Sequence, residues 1–306
     1  MSAPRRLAAL LLLLSALLAL GGCAGGAAAS EAGPGAPETA ALPFPTQVPR
    51  PGPGIEELPL YCEGLLCGRA YARGGEVYLP VAGLCRLFGL ELDEDVREDG
   101  FALRLPGVTV TGETGAEVLR ADARYLYAPG GCLTVQGRLC LPLETAAHLF
   151  GAALSAEQSP ARVELESRQY RLLSGEGDYY TLHYSVEDLY WLSHIIHAEA
   201  GTEPLAGRIG VGSVVLNRVR SENYPDSIMQ VVIQRDASAA QFEPAANGSV
   251  RFDADEDSLI AAYLCLEGYN TVGESLYFVN PDAADNRWFE QSRSFTVRIG
   301  VHDFYT

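Results

Sequence analysis

Apolar residues recur at helical spacing between Val186 and Ala200, where Leu189, Leu192, Ile195 and Ile196 form one stripe, and this pattern predicts an amphipathic helix that stops at Gly201. Thr202-Glu203-Pro204 then opens a second helix, which carries Gly207, Gly210 and Gly212 ahead of Val214-Val215-Leu216-Asn217-Arg218-Val219. Three glycines weaken a helix, so they predict close packing against the first one, with Asn217 a buried polar group facing the same cleft. Further on, Asp253, Asp255 and Asp257 alternate like a calcium loop, but Ser258 stands where that loop needs Gly and Leu264 where it needs the closing Glu. The run reads instead as the acidic start of a helix from Ser258 to Leu266. Upstream, Val77-Tyr78-Leu79-Pro80-Val81 with Leu87-Phe88-Gly89 returns 62 residues later as Leu139-Cys140-Leu141-Pro142-Leu143 with Leu149-Phe150-Gly151. Each copy predicts a short strand running into a helix that ends at Gly, and two copies imply one duplicated module.

Glu199 falls one turn beyond Ile195 and Ile196, on the apolar face. Burial disfavours its charged form, and so does the negative end of the helix dipole, so both raise its pKa. A carboxyl held protonated near neutral pH can hand its proton to a leaving oxygen, as cleavage of a glycosidic bond requires. The bland alternative is a surface residue at a frayed helix end. A metal reading of His194, His197 and Glu199 fails on geometry: on a helix the two histidines lie about 140° and about 160° from Glu199, so one ion cannot take all three. There is no Gly-x-Ser-x-Gly elbow, and Cys265 has no evident helical His partner, which argues against acyl-enzyme chemistry.

The ordered motifs His197-Ala198-Glu199-Ala200, Glu203-Pro204, Val214 to Val219, Gln241-Phe242, Leu276-Tyr277-Phe278-Val279-Asn280-Pro281 and Ile299-Gly300-Val301-His302 together resemble the SleB-type cell wall hydrolases, the spore-cortex-lytic enzymes. The resemblance implies an α+β chain whose residues 185–306 form a mostly helical, lysozyme-like catalytic domain with a short β element, acting on peptidoglycan glycan strands as a lytic transglycosylase. It assigns the essential acid to Glu199. Gly201-Thr202 stands where relatives commonly carry Arg-Gly, a departure that touches the loop and not the acid. In a lytic transglycosylase the C6 hydroxyl of N-acetylmuramic acid attacks C1 and closes a 1,6-anhydro ring, so one carboxylate serves as acid and then as base. Asn217, Gln241, Phe242, Tyr277, Phe278 and Asn280 are the candidates to hold the sugars. Tyr277 and Phe278 alternate on a strand, so at most one of them lines the cleft. Open alternatives are a muramidase that uses water, with a base not yet identified, a non-catalytic wall-binding lipoprotein, and an amidase or peptidase on the stem peptide. No cofactor or metal is called for, and an unidentified regulatory partner is left open, as is the choice between vegetative wall and spore cortex.

Arg5-Arg6, the apolar run Leu7 to Leu20 and Leu20-Gly21-Gly22-Cys23 resemble a lipoprotein signal over residues 1–23, with Cys23 the lipidated residue that anchors the protein to the outer face of the membrane, facing the wall. Residues 24–56, rich in Gly, Ala and Pro, have too few large apolar residues for a core and predict an extended tether. Residues 57–170, which hold the repeat, resemble the copper amine oxidase N-terminal-like stalk module, followed by a linker over 171–184. No ligand cluster there implies copper, and His148 reads as a helix-surface residue. The module reads as a spacer or as a wall binder, and residues 185–306 are expected to act without it. All 22 basic residues are Arg, which excludes a P-loop lysine and Schiff-base chemistry; a net charge of -17 argues against a nucleic-acid partner and against a basic grip on lipid. Cys62 with Cys67, and Cys132 with Cys140, are close enough in sequence for disulfides, whereas Cys85 and Cys265 read as small core residues. Cys23→Ala should therefore move the protein from the membrane fraction to the medium or leave an uncleaved precursor; membrane retention of a properly cleaved variant is the contrary result.

Overall fold

The computed structural model describes residues 52, 54–158, 161–174, 184–235, 240–282 and 291–306. Cys23 with its signal, most of the tether and most of the 171–184 linker lie outside the described residues. Among the described residues no helix is long and apolar enough to cross a membrane. The described residues open with β1 (Glu56–Cys62), β2 (Leu65–Arg73), β3 (Glu76–Pro80) and α1 (Val81–Phe88). A five-stranded antiparallel meander follows: β4 (Asp93–Val96), β5 (Gly100–Leu105), β6 (Val108–Glu113), β7 (Val118–Ala121) and β8 (Arg124–Tyr127). Then come β9 (Leu133–Val135), β10 (Arg138–Pro142), α2 (Leu143–Phe150), β11 (Leu154–Gln158) and β12 (Ala161–Leu165). The strands outside the meander build a seven-stranded sheet in the order β11-β12-β1-β2-β3-β10-β9, with β1 and β12 parallel.

The repeated strands pair with each other. β3 and β10 run antiparallel with Leu79 opposite Leu141, the equivalent positions of the two copies, so the pair sits on a local two-fold axis with both leucines fully buried. Each strand ends at a proline, Pro80 or Pro142, whose fixed φ launches the helix, and each helix stops at a left-handed glycine, Gly89 (φ 68°) or Gly151 (φ 54°).

The second half carries α3 (Val186–Ala200), α4 (Leu205–Arg220), α5 (Ile228–Ile233), α6 (Glu243–Asn247) and α7 (Glu256–Leu266), then a three-stranded sheet of β13 (Tyr277–Val279), β14 (Phe295–Ile299) and β15 (His302–Tyr305) with β15 central. α3 spans the expected residues because Ser185 and Asp188 form a capping box at its start, and it buries Leu192, Ile195 and Ile196. α7 begins two residues before the expected Ser258, since Asp255 caps it by accepting from Ser258 N at 2.8 Å. The glycines of α4 do not all face α3. A Cβ at Gly212 would lie 2.8 Å from Ile196 Cδ1 of α3 and 2.6 Å from Cys265 Sγ of α7, whereas one at Gly210 would meet Phe304 and Val272 and one at Gly207 would meet Glu203 and Ile299.

None of the six described cysteines is bonded to another. Cys67 Sγ donates instead to Leu60 O across a hairpin irregular at Leu60/Tyr61, and burial pushes the Cys132 and Cys140 thiols up to about 12. Cys85 and Cys265 are buried in helices, as expected. Because α3, α4 and α7 all meet at Gly212, Gly212→Val should destabilise the protein by about 1–3 kcal/mol in urea unfolding, a larger loss than at an exposed helix site.

Candidate active site

The turn after α3 is held by one guanidinium. Arg208 is buried on α4; its Nη2 donates to Gly201 O at 2.6 Å, its Nε to Glu203 O at 3.1 Å, and its Nη1 to Asp255 Oδ1 at 2.7 Å and Ser258 Oγ at 2.8 Å. Burial alone would raise the Asp255 carboxyl, but hydrogen bonds from Ser258, and after them Arg208, outweigh it and lower its pKa to about 2. The Glu203 side chain turns the other way, where its Oε2 accepts from Val301 N at 2.9 Å, and Gly300 (φ 58°) makes room, since a Cβ there would fall 1.8 Å from that oxygen. The Glu-Pro and Ile-Gly-Val-His motifs therefore lock the end of α3 to the β14–β15 turn rather than supply chemistry.

Glu199 sits on the last turn of α3, partly buried, with its carboxyl pushed up to about 7. Burial is the main cause; the negative charge of Glu243 adds to it, and Arg218 opposes it. Arg218 is buried on α4, its Nε donating to Leu276 O at 2.8 Å and its guanidinium carbon lying 5.2 Å from the Tyr224 ring, 5.0 Å from Phe242 and 5.7 Å from Tyr277. Its Nη1 is buried with no hydrogen-bond partner. Tyr224 hydrogen-bonds the side chain of Tyr277, and the Arg293 guanidinium carbon lies 3.6 Å from the centre of the Tyr277 ring. The cluster thus places a carboxyl that titrates near neutrality within the electrostatic reach of a buried, ring-lined cation. It can release a proton at neutral pH, and the carboxylate left behind finds a positive charge near at hand.

The other expected site residues divide. Tyr277 joins this cluster. Phe278 packs on the opposite side, against Phe304, His302 and Phe242, so one face of β13 serves the cluster and the other the core. Phe242 is buried beneath Arg218 and cannot stack a sugar. Asn217 does not face Glu199. Its Nδ2 is committed to Gly273 O at 2.7 Å and Ser275 O at 2.9 Å, and it lines a separate depression with Arg220, Asn270 and Glu274. One residue along α4 turns by about 100°, so Arg218 takes the place expected for Asn217. Asn280 Oδ1 accepts from Asp282 N at 3.0 Å, and Gln241 N donates to Gln234 O at 3.0 Å. Arg218, Tyr224 and Glu243 escaped the sequence reading; an arginine inside the apolar run Val214 to Val219 was the available signal for the first. His194 and His197 face different partners, Tyr190 O and Asp255, and among the described residues no group of side chains is arranged for a metal.

Residues 202–305 match the model of the Cell Wall Hydrolase family, a match that begins just past Glu199. The C-terminal part of the chain thus carries a cell wall hydrolase domain. Over 121 residues, 40% of this chain, it is 30% identical to a spore cortex-lytic enzyme of Bacillus cereus and 33% identical to one of Halalkalibacterium halodurans, covering 45% and 35% of those proteins. The chain therefore spans less than half the length of these relatives. The solved catalytic domain of the germination-specific lytic transglycosylase SleB from Bacillus anthracis is 29% identical, with 40% of this chain and 98% of that one covered at a TM-score of 0.37.

A raised carboxyl has a defined stability signature. Glu199 contributes its full stability below its ordinary value of 4.5, and that contribution is lost as the pH rises through about 7. Glu199→Gln should accordingly flatten the fall in melting temperature between pH 5 and pH 8 relative to the parent protein; an unchanged fall would mean that the carboxyl is ordinary.

Proposed function

We propose that this chain is a lipid-anchored peptidoglycan glycosidase of the lytic transglycosylase type, cutting between N-acetylmuramic acid and N-acetylglucosamine. The observation that carries this reading is one partly buried carboxyl, Glu199, on the last turn of α3 and within the electrostatic reach of the buried Arg218, a setting that raises its pKa. Residues 185–306 are read as a lysozyme-like catalytic domain, residues 57–170 as a duplicated stalk module, and Cys23 as the anchor on the outer face of the membrane. The similarity to spore cortex-lytic enzymes supports cortex as the wall attacked.

In the reaction, Glu199 gives its proton to the glycosidic oxygen, the C1–O bond breaks and N-acetylglucosamine leaves with a free 4-hydroxyl. The muramic C6 oxygen attacks C1, forming the 1,6-anhydro ring, and its proton passes to the Glu199 carboxylate, which restores the acid. Between the two steps Arg218 stabilises that carboxylate, while Tyr277, Asn280 and Gln241 lie on the segments that would meet the sugars. A second reading is favoured by Glu243: its charge acts on Glu199, so it is the candidate base for a muramidase that activates water.

Product mass separates these readings. Digestion of purified cortex should yield 1,6-anhydromuramic ends without new reducing ends; reducing ends lost on Glu243→Gln would favour the muramidase, and freed peptide an amidase. Glu199→Gln should leave the protein folded and bound to glycan while lowering cleavage by ~100- to 10,000-fold. Near-normal cleavage by that variant would exclude Glu199 as the acid.

A further inference from the structure

His148 is not a helix-surface residue. Its Nε2 lies 2.6 Å from the carbonyl oxygen of Glu267, which accepts its proton, and its ring stacks on Tyr269 at 4.3 Å, where burial lowers its pKa. Glu267 and Tyr269 belong to the turn that ends α7, 119 or more residues away in sequence. From the same module, Arg124 on β8 grips the Glu267 carboxylate with two nitrogens, Nε at 2.7 Å and Nη2 on the second oxygen, and the Glu267 side chain is only 2% exposed. Tyr127 meets Tyr269 edge-on at 6.0 Å, and Tyr125 stacks on Tyr263 of α7 at 5.6 Å. A forked arginine, a buried carboxylate and three aromatic contacts are more than a flexible spacer requires.

The other end of α7 leads to Glu199. Asp255, its N-cap, receives Arg208, and its backbone N–H donates to His197 Nδ1 at 3.4 Å, two residues before Glu199. Arg208 in turn holds the Gly201 and Glu203 carbonyls, the first turn after Glu199. α7 is therefore a strut fixed to the repeat module at its C-terminal end and to the acid-bearing turn at its N-terminal end.

We propose that the repeat module is a working part of the catalytic unit, and that Arg124 and His148 are positioning residues that hold Glu199 in place through α7. The stalk does not merely set reach, and the catalytic domain does not act independently of it. Resting on the glycosidase reading of Glu199, the proposal concerns how that residue is held.

The test uses the whole chain with purified cortex as substrate. Arg124→Met/Glu267→Gln removes the ion pair without stranding a buried charge, and His148→Phe keeps the ring on Tyr269 but drops the bond to the carbonyl. Both variants should keep the parent's circular dichroism and wall binding, lower kcat about 5- to 50-fold with KM within about twofold, and shift the pH at which activity falls, because the burial of Glu199 changes. Should the double variant fail to fold, His148→Phe decides alone. Parental kcat and pH profile in a folded variant would overturn the proposal. Absence of glycan products from the parent protein would instead overturn the glycosidase reading, whatever the variants do.

Discussion

The catalytic half depends on one buried cation, the guanidinium of Arg208. A guanidinium out of water is costly unless its donors are met, and here Gly201 O, Glu203 O, Asp255 and Ser258 meet them together. Those partners come from the end of α3, the turn before α4 and the start of α7, so satisfying one side chain determines how three helices meet. Asp255 caps α7 with the same carboxylate oxygen that accepts from Arg208, which couples the start of that helix to the turn that follows Glu199.

Within that frame the second buried arginine has a different task. Arg208 has partners for all its nitrogens, whereas Arg218 leaves Nη1 without one and is surrounded by the rings of Tyr224, Phe242 and Tyr277. Burial lowers its pKa, and Tyr224, Tyr277 and Glu199 oppose that effect. A cation that is poorly solvated and incompletely bonded interacts strongly with a charge that appears beside it, and Glu199 is the group able to develop one. Burial and Glu243 raise the pKa of Glu199, while Arg218 limits the cost of ionising it. The balance leaves its carboxyl near neutrality, where one group can both give and take a proton.

The aromatic residues of these motifs also differ in burial: Phe242 is buried, whereas Tyr277 and Phe278 are partly exposed. Phe242 lies beneath Arg218, Phe278 packs against Phe242 and Phe304, and Tyr277 meets Arg293 and Tyr224. Motif residues of this kind shape the electrostatics of the acid from behind.

The sequence by itself determined α3, the two strand–helix copies and the place of Glu199 on an apolar face. Helical periodicity and a capping box are local, so α3 appears where its pattern places it, the strand–helix copies stop at their glycines, and Glu199 stands out as a carboxyl on an apolar face. Tertiary structure alone decided the partners. Asn217 and Arg218 are neighbours in one helix, and which of them reaches Glu199 depends on rings delivered from residues 224, 242 and 277. His148, which the sequence places on a helix surface, is covered by a turn more than a hundred residues away. Periodicity records that a face is buried. It carries no record of what buries it, since that surface is assembled from distant segments only when the chain has folded.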